Sequence, residues 1–438
     1  MAFVGNILKL ILAQYSGLKM IRRILVAVLV TMSVCIALFI AVAALPSDGL
    51  RKNIVSATND GYFDKNYPRY LMFRGIDMFT ECVALGAAAD MHASVDSMLK
   101  VNHAGECLNL KAQALENFTR ETVPYARYWH GYQVVLKPLY SLFDIATVRV
   151  LLVLVNVLLF GILTVVMAQK NGQAYAYATL TSFFLAGTLH VFLLASHAAQ
   201  FWVVLAGAIA AVLHAGRGAP VALFAVIGVL DAFTSFLNMG SLSLGFPLLC
   251  YCLTRWNQDE RSDAILAEAF AACVGWSLGL LVMWLGKWAA VLMYEPGFNL
   301  LGALPEKYTA RGLMMIVEAA GNNLEKTLWR VWVPCFLLLG WRLYDKRVPF
   351  VRGLWVVLFP AAIPFVWVAL LPGQSGLAHS GFVTIIMWPT IAALFFLLLA
   401  MPRQAERVAF TDAFRQVGGY LKAAAAAGAA RTRRMRGK

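Results

Sequence analysis

Apolar runs of about the length a helix needs to cross a bilayer recur along this chain from Ile24 to Met401. A chain built this way must hide or solvate far more apolar surface than one aqueous core can hold. The balance of the 438 residues agrees: 61% are hydrophobic, 14% are charged and the mean hydropathy is +0.69, whereas soluble domains carry charge on about a quarter of their residues. A membrane-spanning barrel would show short alternating segments instead, and the sequence has none. The expected fold class is an all-α integral membrane protein with about ten transmembrane helices.

The net charge of +14 is distributed as topology rather than as a nucleic-acid footprint. Lys9, Lys19, Arg22 and Arg23 precede the first apolar run, and Arg403, Arg407, Arg431, Arg433, Arg434, Arg436 and Lys438 follow the last. The positive-inside rule then puts both ends in the cytoplasm of a bacterial inner membrane and requires an even number of spans. Lys170, Arg217, Arg255 with Arg261, and Arg342, Lys346 and Arg347 fall in alternate connections, as cytoplasmic loops should. No basic stripe interleaved with stacking aromatics points to nucleic acid.

Five regions follow. Residues 1–23 form a cytoplasmic N-terminus and 24–45 a first anchor, too long in its apolar part for a cleaved signal. Residues 46–148 form a polar periplasmic loop domain, in which Met78 to Lys100 and Glu106 to Phe118 are expected as short interfacial helices on the membrane surface. Residues 149–402 hold the other spans, from about Val150 to Ala168, Tyr177 to Ala195, Phe201 to Leu213, Val221 to Leu237, Leu242 to Leu253, Ile265 to Met293, Leu328 to Leu343, Leu354 to Leu371 and Phe382 to Met401. Residues 403–438 are a basic cytoplasmic tail. Of the seven cysteines, Cys82 and Cys107 lie in the loop domain. An oxidising periplasm permits a disulfide there, and the sequence leaves that pairing open.

Charges inside apolar runs are the first functional candidates, because burial in lipid is costly. Lys287 lies between Trp284 and Trp288 near the outer end of the seventh span. It reads either as a cation held for a lipid phosphate or as a lysine snorkelling to the headgroups. Asp231 sits at membrane depth in the fifth span, where its carboxyl needs a partner. In the loop domain Asp77 and Glu81 are four residues apart, so a helix puts them on one face. They read as a general base with a neighbour, or as a solvated helix face. Arg127, Trp129 and His130 lie in YARYWHGYQVVLKPL, where a guanidinium suits phosphate and aromatics suit sugars or headgroups; an interfacial aromatic belt has the same composition. His379 lies in the last outer loop. The seven histidines show no paired metal spacing, so no zinc site is expected and no cofactor is implied.

These segments carry a resemblance. GIDMFTECVAL resembles a DNFTDALML-type motif, and YARYWHGYQVVLKPL is similar to a motif of the form RYWHGY-x-V-x-L-[RK]-P-L. GVLDAFTSFLNMGSLSLGFPLL and the set Trp276, Gly279, Trp284, Lys287 and Trp288 resemble two further signatures in the same order. Together they resemble an uncharacterised family of bacterial polytopic membrane proteins. The layout, an anchor, a large outer loop with an acidic motif and then many spans, is similar to GT-C membrane glycosyltransferases. His379 and Ser380 resemble part of an N-H-S-x-x-H loop. Three departures stand out: Glu81 replaces the second acidic residue of the first motif, Ser235 occupies an Asp position, and the second His of the loop at His379 is missing.

That resemblance implies a polyprenyl-phosphate-linked sugar donor and a cell-envelope glycan, lipid or protein acceptor. Asp77 or Glu81 would be the catalytic base. Arg127, Trp129, His130, Lys287, Trp288 and His379 would bind the phosphate, sugar or lipid. A transporter or lipid flippase, and a non-enzymatic envelope assembly protein, are the alternatives from other classes.

Overall fold

The computed structural model describes residues 18–67, 77–186, 188–236, 239–258, 261–299, 354–370 and 387–400. The span expected at Leu328 to Leu343, the start of the span at Phe382, the basic tail and His379 lie outside the described residues. Every element within them is helical. A first helix α1 (Leu18–Ala43) leads into five short helices: α2 (Asp48–Asn59), α3 (Met78–Asp90), α4 (Val95–Lys100), α5 (Cys107–Leu115) and α6 (Gln133–Leu142). The bundle follows as α7 (Ile145–Asn171), α8 (Gln173–Leu185), α9 (Ala195–His214), α10 (Val221–Thr234), α11 (Gly240–Asn257), α12 (Ser262–Tyr294), α13 (Leu354–Leu370) and α14 (Trp388–Ala400).

Among the described residues, four helices are long and apolar enough to cross a membrane: Ile21–Ala43 within α1, then α7, α9 and α12. Val221–Thr234, Trp355–Trp367 and Trp388–Leu397 are shorter apolar helices. On α7 the buried residues Val148, Leu152, Asn156, Phe160, Leu163, Met167 and Asn171 recur at three- and four-residue spacing, the stripe of a helix with one inward face. Its outward face is also apolar, with Val150, Leu154, Leu158 and Val165 each more than half exposed. An apolar stripe on both sides is what a lipid-solvated helix shows. By contrast α11 is buried almost end to end and forms the axis of the bundle, touching α9, α10, α12, α13 and α14. Its internal Pro247 lies against Gly207 of α9, a neighbour small enough to take the proline ring.

The closest helix pair is α10 with α12. A Cβ added at Gly275 or Gly279 would overlap the Val221 or Ala225 carbonyl oxygen of α10, and one at Gly228 would overlap the Trp276 carbonyl of α12. Two helices run side by side with backbones in contact because these three positions lack side chains, the small-residue packing of membrane helices.

Two expectations change. The run from Tyr177 to Ala195 is not one helix: α8 ends at Leu185, a 3₁₀ turn covers Thr188–Leu193, and α9 begins at Ala195, before the expected Phe201. The extra first turn of α9 takes in Ser196, His197 and Gln200, all buried rather than exposed in a loop: the Ser196 N–H meets Glu81, His197 faces Asp77 and the Gln200 amide meets Asp231. The helix at Met78–Asp90 does not lie on a surface either, since eleven of its thirteen residues are buried. It is packed among α2, α5, α6 and α9, and Cys82 on it is disulfide-bonded to Cys107 at the start of α5, with 5.0 Å between the Cα atoms.

Gly279→Ala should force α10 and α12 apart and lower stability by about 1–3 kcal/mol, the usual cost of overpacking. Gly161→Ala, where an added Cβ meets nothing, should leave it unchanged or raise it by up to about 1 kcal/mol. The apparent melting temperatures of the two purified variants test the contrast.

Candidate functional site

The end of the bundle that meets the α2–α6 domain collects most of the sequence-predicted site residues. They fall into two neighbouring groups, one under α3 and one under the loop 125–132.

In the first group, Asp77 is the N-cap of α3: its carboxylate accepts from the Thr80 backbone N–H at 3.1 Å and from the Thr80 hydroxyl at 2.5 Å. Capping of this kind is why the helix starts here. Glu81, one turn on, points across to the bundle. Its Oε1 accepts from the Tyr140 hydroxyl at 2.8 Å and the Ala195 N–H at 3.1 Å, and its Oε2 from the Ser196 N–H at 2.9 Å. The residue before α9 is Leu194, which supplies no side-chain cap, so Glu81 satisfies the free amides of the α9 N-terminus from another helix. With exposures of 3% and 1%, the two acids do not form a solvated helix face.

His197, in the same first turn of α9, brings Nε2 to 3.6 Å from Asp77 Oδ2 and is fully buried. Sequence reasoning misses it because spans at Tyr177 to Ala195 and Phe201 to Leu213 leave Ser196 to Gln200 in a connection. The signal was present, since a Ser-His-x-x-Gln pattern opening an apolar run is costly unless its polar groups are matched.

The second group is built from the aromatic motif. The Arg127 carbonyl accepts both the Trp284 and Trp288 indole N–H groups, at 3.1 and 3.2 Å, and the Trp129 indole donates to the Met283 carbonyl at 2.7 Å. His130 adopts a left-handed φ of 57°, and the next residue, Gly131, donates its N–H to the Phe233 carbonyl at 2.7 Å. Any side chain at Gly131 would enter the Phe233 ring. The motif therefore clamps the domain onto α10 and α12.

Within it, His130 Nε2 lies 2.7 Å from the Tyr125 carbonyl and Nδ1 2.8 Å from the Tyr132 hydroxyl. A carbonyl only accepts, so Nε2 carries the proton and Nδ1 accepts from Tyr132. Burial drives the His130 imidazole down to about 3, with the nearby Lys287 charge acting in the same direction and the bond to Tyr125 opposing it.

Lys287 neither snorkels outward nor presents its amine to a surface. It is fully buried, donates to the Met98 carbonyl at 3.0 Å and lies over the Trp129 ring at 5.1 Å from its centre. Arg127 is the half-exposed cation of the group, its guanidinium 5.5 Å from the Tyr125 ring centre, and Trp288 is half-buried beside Trp284. Among the described residues, no group of three or more His, Cys, Asp or Glu side chains could hold a metal ion.

Comparison of the chain with protein-family models, with curated proteins and with solved structures gives no match.

Glu81→Gln replaces an acceptor-only carboxylate with an amide that turns one donor toward the α9 amides. It should cost about 1–3 kcal/mol, read as a lower apparent melting temperature. The His130 environment gives a pH dependence. Because its folded value lies below the ordinary 6.5, the unfolded chain takes up the proton first as pH falls. Stability is then present above about 6.5 and declines toward about 3, by up to about 1.4 kcal/mol per pH unit. His130→Asn, which tolerates the left-handed backbone, should flatten this acid decline in pH-resolved thermal unfolding.

Proposed function

We propose that this chain is a GT-C-like membrane glycosyltransferase of a bacterial inner membrane, with about ten spans, both termini cytoplasmic and the α2–α6 domain in the periplasm. The Cys82–Cys107 disulfide favours an oxidising compartment for that domain, and Arg22 and Arg23 at the start of α1 favour a cytoplasmic N-terminus.

The observation that carries the catalytic reading is the buried Asp77–His197 pair at the junction of domain and bundle. A carboxylate beside an imidazole, buried where the α2–α6 domain meets the bundle, is equipped to take a proton. Glu81 holds Tyr140 and the α9 amides, and Asp77, which caps α3 through Thr80, is the acid beside His197 and so the proposed base. In the proposed step an acceptor hydroxyl oxygen bonds to the anomeric carbon and its proton passes to Asp77. The bond from that carbon to the phosphate oxygen breaks, and the polyprenyl phosphate leaves with the electron pair. Arg127, half-exposed beside Trp284 and Trp288, is placed to meet the developing phosphate charge. Trp284 and Trp288 hold its carbonyl and Tyr125 lies under its guanidinium, while Lys287, Trp129 and His130 are buried in the same attachment. A cell-envelope glycan, lipid or protein is the acceptor.

A second reading, a transporter or lipid flippase, draws on polar side chains inside the bundle: Gln200 with Asp231, and Trp202 with Asn156.

The test is sugar transfer by the purified full-length chain in vesicles, supplied with polyprenyl-phosphate mannose, glucose and galactose. Asp77→Asn should lower transfer by about 10²–10⁴-fold, the usual weight of a general base. Transfer at the original rate by a folded Asp77→Asn protein would remove Asp77 from the chemistry.

A further inference from the structure

Asp231, near the end of α10, is fully buried. Its Oδ1 accepts from the Gln200 amide of α9 at 2.7 Å, whereas its Oδ2 has no hydrogen-bond partner. Ser243 of α11 is the other polar side chain acting on it. That hydroxyl donates to the Gly240 carbonyl at 2.9 Å and accepts the Trp276 indole N–H of α12 at 3.2 Å. Four helices thus bring polar groups to one point, yet the carboxyl receives one clear N–H donor.

Several titratable and charged groups on the elements packed against α10 have partners elsewhere: His214 of α9 lies against the Ala219 carbonyl and Tyr251 of α11 donates to Glu268, while Cys250 and Cys252 of α11 and Cys273 of α12 are free thiols. On α9, His197 faces Asp77. On α12, Lys287 donates to the Met98 carbonyl, and Glu268 pairs with Arg255 of α11 at the opposite end of the bundle. On α1, Arg22 and Arg23 begin the helix, and Cys35 is a buried thiol. In the loop 125–132, His130 has both nitrogens bonded and Arg127 lies over Tyr125. Among the described residues no Lys, Arg or His stands within ion-pair distance of Asp231. An ionised carboxylate here would be an uncompensated charge, and that is the most costly group to bury. A small metal cation would need several more oxygens than this corner supplies. A proton needs one, and Oδ2 is the atom left over.

We propose that Asp231 is a proton-binding site: in this packed arrangement its carboxyl is neutral, and loss of the proton is the event that separates the helices meeting there. The O–H bond breaks, the proton passes to water or a solvent base, and the resulting carboxylate requires donors that the packed state lacks. Asp231 is then the element through which a proton-linked conformational step enters the bundle. The inference stands apart from the glycosyl-transfer reading, because neither requires the other.

Infrared difference spectroscopy of the full-length chain in lipid vesicles tests it, with the pH raised from about 6 to about 10. The expected result is a protonated-carboxyl C=O band that shifts when aspartate is ¹³C-labelled. The band should be missing in Asp231→Asn and should give way to a carboxylate band as the pH rises. With rising pH the apparent melting temperature of the wild type should fall relative to that of Asp231→Asn. If Asp231→Asn does not fold, labelled Asp77→Asn gives the same reading, since it removes the other deeply buried aspartate among the described residues. Absence of the band at the acid end overturns the proposal. So does a band moved by replacing choline chloride with sodium chloride at fixed pH, which would assign the site to a metal cation.

Discussion

The structure depends on a helix end capped by a carboxylate from elsewhere in the chain. The first amides of α9 have no cap of their own, and Glu81 reaches them from α3, more than a hundred residues earlier in the chain. This contact fixes where α9 starts, which in turn sets His197 beside Asp77 and Gln200 beside Asp231. It works because α3 is itself held at both ends. Asp77 caps its beginning, and near its end the Arg51 guanidinium and Lys137 ammonium bond the Ala89 and Met91 carbonyls, a cation where a helix end is negative. The α2–α6 domain is therefore part of the bundle's foundation.

A second set of contacts, from the loop 125–132, completes the attachment. Two tryptophans on α12 share the Arg127 carbonyl, Trp129 returns the bond to Met283, and Lys287 reaches Met98. Most of the polar atoms in this motif are occupied by the attachment itself. Arg127 differs because its carbonyl is taken while the residue stays only half-buried, its guanidinium over the Tyr125 ring.

Long apolar periodicity made α1, α7, α12 and most of α9 legible in the sequence, because a helix in lipid needs only length and composition. The spacing of Asp77 and Glu81 also signalled an acid pair on one helix. Their division of labour was not legible, since it depends on which partner each meets: Thr80 and His197 for one, Tyr140 and the α9 amides for the other. Lys287 stood out as a charge in an apolar run, but its destination, a carbonyl on α4, is a tertiary fact that no local pattern encodes. The start of α9 was misread for the same reason, since Ser196, His197 and Gln200 look like a loop until their partners on α3 and α10 are known.

The glycines between α10 and α12 have a mechanical consequence. Backbones in direct contact leave no side-chain layer to shear, so these two helices behave as a single keel. Sliding within the pair would drive carbonyl oxygens into the neighbouring chain, whereas α9 and α11 meet it through larger, adjustable side chains. Asp231 lies on the keel and Gln200 and Ser243 lie off it. The carboxyl group thus bridges the seam between this keel and the helices α9 and α11.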